Sequence, residues 1–182
     1  NGNTYELDDN MLVISDEQSV DDLAGIMGGE RTGVTENTTR MFLEAAIFDP
    51  VSIANTGRKL NLNSDARYRF ERGLDYNSPE TVMHYAAAMF NKICGGKFSK
   101  IVNFKLEQKN KIIKFDPNII YQLTGVKIEN ELSKSILEKL GFKILSLDDI
   151  WDITPPSWRP DIDGIADIVE EIIRINGYDK IP

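Results

Sequence analysis

Cysteine is nearly absent: Cys94 is the only one in 182 residues. No internal disulfide can form, which suits a reducing compartment and a cytoplasmic location. Cys94 follows Phe90 at the end of a helical stretch and reads as a packing residue rather than a reactive thiol. Long apolar runs are also missing. None approaches the roughly 20 residues that a membrane-spanning helix needs, so no membrane partner is expected. The opening NGNTYELDDN has neither the positive start nor the apolar stretch of a secretion signal. Basic charge is in deficit, with 21 Lys and Arg against 29 Asp and Glu and a net charge of −8. Phosphate contacts dominate nucleic-acid affinity, so a stand-alone binder is usually basic. Any RNA contact made here is expected to be local, or delegated to other parts of a larger assembly. The only histidine, His84, falls in an alanine-rich stretch and reads as a packing or surface residue. No long internal repeat or low-complexity tract is present.

What is there supports a folded protein. A hydrophobic content of 41% excludes a disordered chain, and the length fits one large or two small domains. Residues 1–106 form a first piece. It opens with a short hairpin, YELDD against MLVIS, turned near Asp8, Asp9 and Asn10. A Gly-rich loop follows at Gly28, Gly29 and Gly33, then an apolar run, MFLEAAIF (41–48), that reads as a strand. Asp49 and Pro50 are the N-cap and first residue of a helix that ends near Asn61. The run from Arg67 to Arg72 reads as a strand with Arg67, Arg69 and Glu71 on one face. A second Pro-started helix begins at Ser78 and stops at Gly95 and Gly96. Residues 97–106 read as a strand, and the charged 107–111 as a connector.

The second piece, 112–182, has a clear order. A strand at 112–115 leads to a helix begun by Asp116 and Pro117 and ended by Gly125. A helix over 129–140 carries Leu132, Ile136, Leu137 and Leu140 on one face and stops at Gly141. A hairpin pairs 142–147 with 150–154 across Asp148 and Asp149, and a last helix covers 163–175. Trp158, in the stiff PPSWRP segment, is expected to anchor the core. Two helices, a hairpin and a closing helix make a small winged-helix-like α+β module.

Two acidic features invite chemistry. Glu44 interrupts the apolar 41–48 run. As a strand residue it shares a face with Phe42 and Ala46, which puts its carboxylate either at a wet sheet edge or in a pocket with a partner or ligand. In the last helix Asp167, Glu170, Glu171 and Arg174 follow 3-4 spacing, with Asp161 just ahead. Such carboxylates suit Mg²⁺. They equally suit an acidic first turn and Glu–Arg pairs on a solvated face. The basic cluster Arg58, Lys59, Arg67, Arg69 and Arg72 fits a salt-bridged surface or a local tRNA contact.

These segments carry a family resemblance. MGGERTGV, FLEAAIFDPVSIANTGRKLNL and SDARYRFERGLD resemble the second half of the editing domain in the beta subunit of bacterial phenylalanyl-tRNA synthetase. PPSWRPDIDGIADIVEEIIRINGYDKIP is similar to the end of the small domain that follows it. The resemblance runs through nearly the whole chain in the family's order. It implies an α+β fold: a partial α/β editing domain followed by the winged-helix-like domain. It implies a parent enzyme that joins phenylalanine to tRNA(Phe) with ATP, built as an alpha2beta2 heterotetramer with the alpha subunit.

By the same resemblance this region helps hydrolyse mischarged tyrosyl-tRNA(Phe). Glu44 would bind the tyrosyl hydroxyl, Gly28 and Ala66 would shape the pocket, and Ser64 stands where threonine is usual. Asp161, Asp167, Glu170 and Glu171 match the family's Mg²⁺ ligands at the alpha-subunit contact. The resemblance places a histidine and an arginine of the editing site ahead of this sequence and the ATP site in the alpha subunit. The isolated chain is therefore expected to be inactive. Two other readings stay open: a nucleic-acid-binding winged helix, and a purely structural segment.

Overall fold

The computed structural model describes residues 2–104, 111–147 and 149–182. The chain divides between Asn103 and Phe104 into two compact units. Its architecture is α+β, with helices and one small antiparallel sheet in each unit.

In the first unit, β1 (Val13–Ser15), β2 (Val20–Leu23) and β3 (Met27–Gly28) form an antiparallel meander. Val13 faces Leu23, and Asp22 faces Gly28. The first hairpin is thus not the one expected. A turn does form at Asp8, where Met11 N–H donates to the Asp8 carbonyl at 3.1 Å, but residues 5–8 join no strand. The strand instead pairs forward, across a loop that Asp16 closes. The Asp16 carboxylate accepts from the backbone N–H groups of Gln18 and Ser19, both at 2.8 Å, the local capture that makes aspartate a turn residue. Those bonds and Arg31 hold its carboxyl down at about 2.

Helix α1 (Pro50–Lys59) begins as read: Asp49 Oδ2 accepts from Ser52 N–H at 2.7 Å, and Pro50 follows. It buries Ile53 against Met11, Leu23, Ile26 and Leu62, with the Phe48 and Phe70 rings 5.2 Å apart beside them. The segment read as a strand at 67–72 is a helix instead, α2 (Asp65–Phe70). Ser64 caps it, and Arg67 pairs with Glu71 at 3.0 Å one turn on. Cap and i,i+4 pair outweigh the accidental alternation of charged and aromatic residues. Helix α3 (Ser78–Cys94) ends at Gly95 and Gly96, whose φ values of 70° and 110° suit glycine. It buries no residue; Cys94 is exposed rather than packed, and His84 is a surface residue. Two further strands read from sequence do not form: 41–48 and 97–104 have no ladder, while 105–106 and most of the connector lie outside the described residues.

The second unit follows the expected order. It contains β4 (Ile113–Phe115), α4 (Asn118–Thr124), α5 (Asn130–Lys139), β5 (Lys143–Leu147), β6 (Ile150–Thr154) and α6 (Ile165–Asn176), then a 3-10 turn at Tyr178–Lys180. The sheet order is β4-β6-β5, all antiparallel. Asp116 Oδ1 accepts from Asn118 N–H at 2.9 Å to start α4, and Gly125 ends it at φ 71°. The core joins Phe115, Ile120, Leu137, Trp151 and Ile153 to the Ile168, Val169, Ile172 and Ile173 stripe of α6. Trp151 fills that core, stacked 5.8 Å from Phe115. Trp158, expected there, is 58% exposed and lies against Gly141. Leu132 stays outside the core as well.

Candidate functional site

In the first unit, Asp22 of β2 pairs with Gly28 and acts electrostatically on Glu44, while Ser64, two residues before Ala66, bonds to Ile26 just ahead of β3. Gly28 pairs with Asp22 across the ladder, and the next amide, Gly29 N–H, donates to Asp22 Oδ1 at 3.1 Å. A Cβ at Gly29 would collide with the Asp21 carbonyl, so the close approach of β2 demands glycine here. Glu44 lies in an irregular stretch, exposed, within electrostatic reach of Asp22. Partial desolvation first, and the Asp22 charge second, push its carboxyl above the usual glutamate range. The apolar neighbours expected on a strand face are absent as such, because no strand forms; Phe42 is 92% exposed.

Ser64 carries the second link. Its hydroxyl donates to the Ile26 carbonyl at 2.7 Å and accepts from Arg67 N–H at 3.0 Å. One side chain thus caps α2 and fastens its first turn, with exposed Ala66, to the chain just before Gly28. Arg67 is largely buried rather than displayed. It donates to the Leu62 carbonyl at 2.6 Å, Asn63 Oδ1 at 2.9 Å and Glu71, and it packs on Gly57 of α1. Lys59 pairs with Asp8, and Arg72 stacks 3.7 Å over Tyr68 while donating to Glu71. The basic cluster is therefore mostly spoken for, with Arg69 exposed and without a side-chain partner among the described residues.

The acidic constellation of the second unit is arranged differently from a ligand shell. Asp161 is gripped by Arg159. Glu171 is buried, 6% exposed, between Arg159 and Arg174, which hold its carboxyl at about 2. Asp167 turns back to the helix start: its Oδ2 accepts from Asp163 N–H and Gly164 N–H, both at 2.8 Å. Gly164 has no side chain to cap α6, so Asp167 performs that task from within the first turn. Glu170 is exposed and unpaired among the described residues. Four carboxylates have the donor chemistry of a hard-cation site. Among the described residues, however, no three such groups converge to hold a metal, and the residues as placed do not fit Mg²⁺. Sequence reasoning passed over Asp22 and Arg159, the two groups on which these arrangements turn. Only their positions in three dimensions mark them.

Residues 1–95 match the B3/4 domain model, and residues 113–178 match the tRNA synthetase B5 domain model. The chain belongs to the B3/4 domain family. In it the B3/4 domain is followed by the B5 domain. The B3/4 and B5 pair is 48% identical to the phenylalanine–tRNA ligase beta subunit of Paramagnetospirillum magneticum, across 100% of this chain and 23% of that protein. It is 42% identical to the same-named protein of Mesorhizobium japonicum and 47% to that of Bartonella quintana, each again 23% covered. The chain spans about a quarter of the length of these relatives. Among its described residues no helix is long and apolar enough to cross a membrane.

Proposed function

We infer that this chain serves within a phenylalanine–tRNA ligase beta subunit and contributes to hydrolytic editing of tyrosyl-tRNA(Phe). The parent enzyme would use ATP to join phenylalanine to tRNA(Phe), with the alpha subunit as partner. The observation that supports the reading is the Glu44 carboxyl, partly desolvated and within electrostatic reach of Asp22, the ladder partner of Gly28. A phenylalanine pocket cannot strongly reject a molecule that merely adds a hydroxyl, so tyrosine is sometimes attached in error. A second site sorts the error by demanding that hydroxyl. Glu44 suits this as an acceptor: a partly desolvated carboxylate close to another negative charge gains from a phenol donor. A phenylalanyl group would desolvate it further and offer nothing in return. Ser64 acts as a positioning residue, because its bond to Ile26 sets α2 and Ala66 beside the Gly28 loop.

The test is deacylation of tyrosyl-tRNA(Phe) by the full two-subunit enzyme, native against Glu44→Ala. Hydrolysis is expected to fall by about 10²-fold, with phenylalanine charging unchanged. Equal hydrolysis by both proteins would place the discriminating group elsewhere.

A further inference from the structure

Arg159 stands where a cation serving the acidic face of α6 would have to stand. Its Nε donates to Asp161 Oδ1 at 2.8 Å and Oδ2 at 3.1 Å, and its Nη2 reaches Oδ2 at 2.6 Å. The same guanidinium meets Glu171, with Nη2 3.1 Å from Oε1 and Nη1 3.0 Å from Oε2. Arg174 closes the other side, with Nη2 2.7 Å from Oε2 and Nε 3.3 Å from Oε1. Oε1 therefore accepts from both arginines and Oε2 from Arg174, with Arg159 Nη1 beside Oε2 as an ion-pair contact. A carboxylate offers about four lone-pair sites in all, so most of those of Glu171 are committed to arginine. Asp167 spends one oxygen on two backbone amides, which leaves its Oδ1 and the Glu170 carboxylate without a partner among the described residues.

We propose that the acidic face of α6 is an arginine clamp and not a magnesium site in this chain. The formal charges of Arg159 and Arg174 cancel those of Asp161 and Glu171, which halves the negative charge of the four carboxylates that would draw a divalent cation. Arg159 itself sits in a turn, its N–H donating to the Pro156 carbonyl at 3.0 Å. The clamp thereby fastens the proline-rich segment to the buried side of α6, where Ile162 joins the core. Glu171 is buried on this arrangement because its partners supply fork-shaped, bidentate contacts, which lysine cannot reproduce.

The experiment pairs thermal unfolding with Mn²⁺ titration of the 182-residue chain, free Mn²⁺ being read by electron paramagnetic resonance. The clamp predicts no saturable uptake below about 1 mM, and a midpoint that Mg²⁺ does not move. Arg159→Gln strands a buried carboxylate and is expected to lower the midpoint by more than about 10 °C, unrescued by Mg²⁺. Arg159→Lys keeps the charge without the fork and should recover only part of the loss, which keeps the test readable if Arg159→Gln does not fold. Glu170→Gln should change neither readout. One Mn²⁺ bound per chain at about 0.1 mM and lost in Glu170→Gln would overturn the clamp. So would full stability in Arg159→Lys, or Mg²⁺ rescue of Arg159→Gln.

Discussion

The two units bury their apolar residues very differently. In the second, fourteen buried hydrophobics among the described residues meet in one cluster. In the first, the cluster has five, and the 17-residue α3 adds none. The difference tracks the ladders. Strands β4 and β6 each bury alternate residues, so Phe115, Trp151 and Ile153 arrive in the core with the stripe of α6. In the first unit the most apolar stretch, 41–48, joins no ladder, and among the described residues Phe48 is the one side chain of it packed against the cluster. A thin core leaves polar ties to set positions: Ser64 to Ile26, Arg67 to Leu62, Asp22 to Gly29. The proposed editing residues depend on those ties. The arginine clamp, by contrast, is built on a dense core.

The largest effect that tests this contrast is Phe115→Ala, expected to cost the second unit about 3–5 kcal/mol. Urea unfolding followed by Trp151 fluorescence would measure it. Ile53→Ala, at an equally buried site of the first unit, should cost nearer about 2 kcal/mol, because a sparse cluster relaxes around the gap. Hydrogen exchange in α1 reads that number, and a loss as large as that of Phe115→Ala would break the comparison.

A smaller effect concerns Glu44. Its folded pKa lies above the ordinary value of 4.5, so the folded chain holds that proton more tightly than the unfolded one. The stabilisation is present below the unfolded pKa and is lost as pH rises from 4.5 through the raised folded value. Glu44→Gln should therefore flatten that part of the stability profile and melt slightly higher than native at neutral pH. Superimposed profiles would show that Glu44 is fully solvated. The smallest effect is Ser133→Ala in α5. The Ser133 hydroxyl is wholly buried and has no hydrogen-bond partner among the described residues, so its removal should stabilise the second unit by about 1 kcal/mol. A loss of stability on calorimetry would reveal a partner.

Local punctuation was legible in the residues alone. Asp49 with Pro50, Ser78 with Pro79, and Gly95, Gly125 and Gly141 mark helix boundaries because caps, fixed φ and left-handed backbone act within one turn of chain. The 3-4 spacing of Ile168, Val169, Ile172 and Ile173 matches the buried face of α6, although Glu171 of the acidic set is buried as well. The misreadings share a different cause. A period-2 pattern at 67–72 was an accident on a capped helix, and the apolar 41–48 run had no partner strand. Hairpin choice at the start went to the loop that Asp16 could close. Strand formation depends on a distant partner, and no local pattern reports whether one arrives.

The same division holds for chemistry. The amino-acid order by itself determined the domain sequence, the helix ends, and which carboxylates belong to α6, since these follow from neighbours in the chain and from family motifs. Only the tertiary structure decided that Glu44 lies near Asp22 and that Ser64 reaches Ile26, 38 residues away. It alone seated Arg159 against Glu171, 12 residues on. Electrostatic and hydrogen-bonding partners act through space over a few ångströms, so a charge is read as ligand, clamp or solvated surface only once folding has chosen what stands beside it.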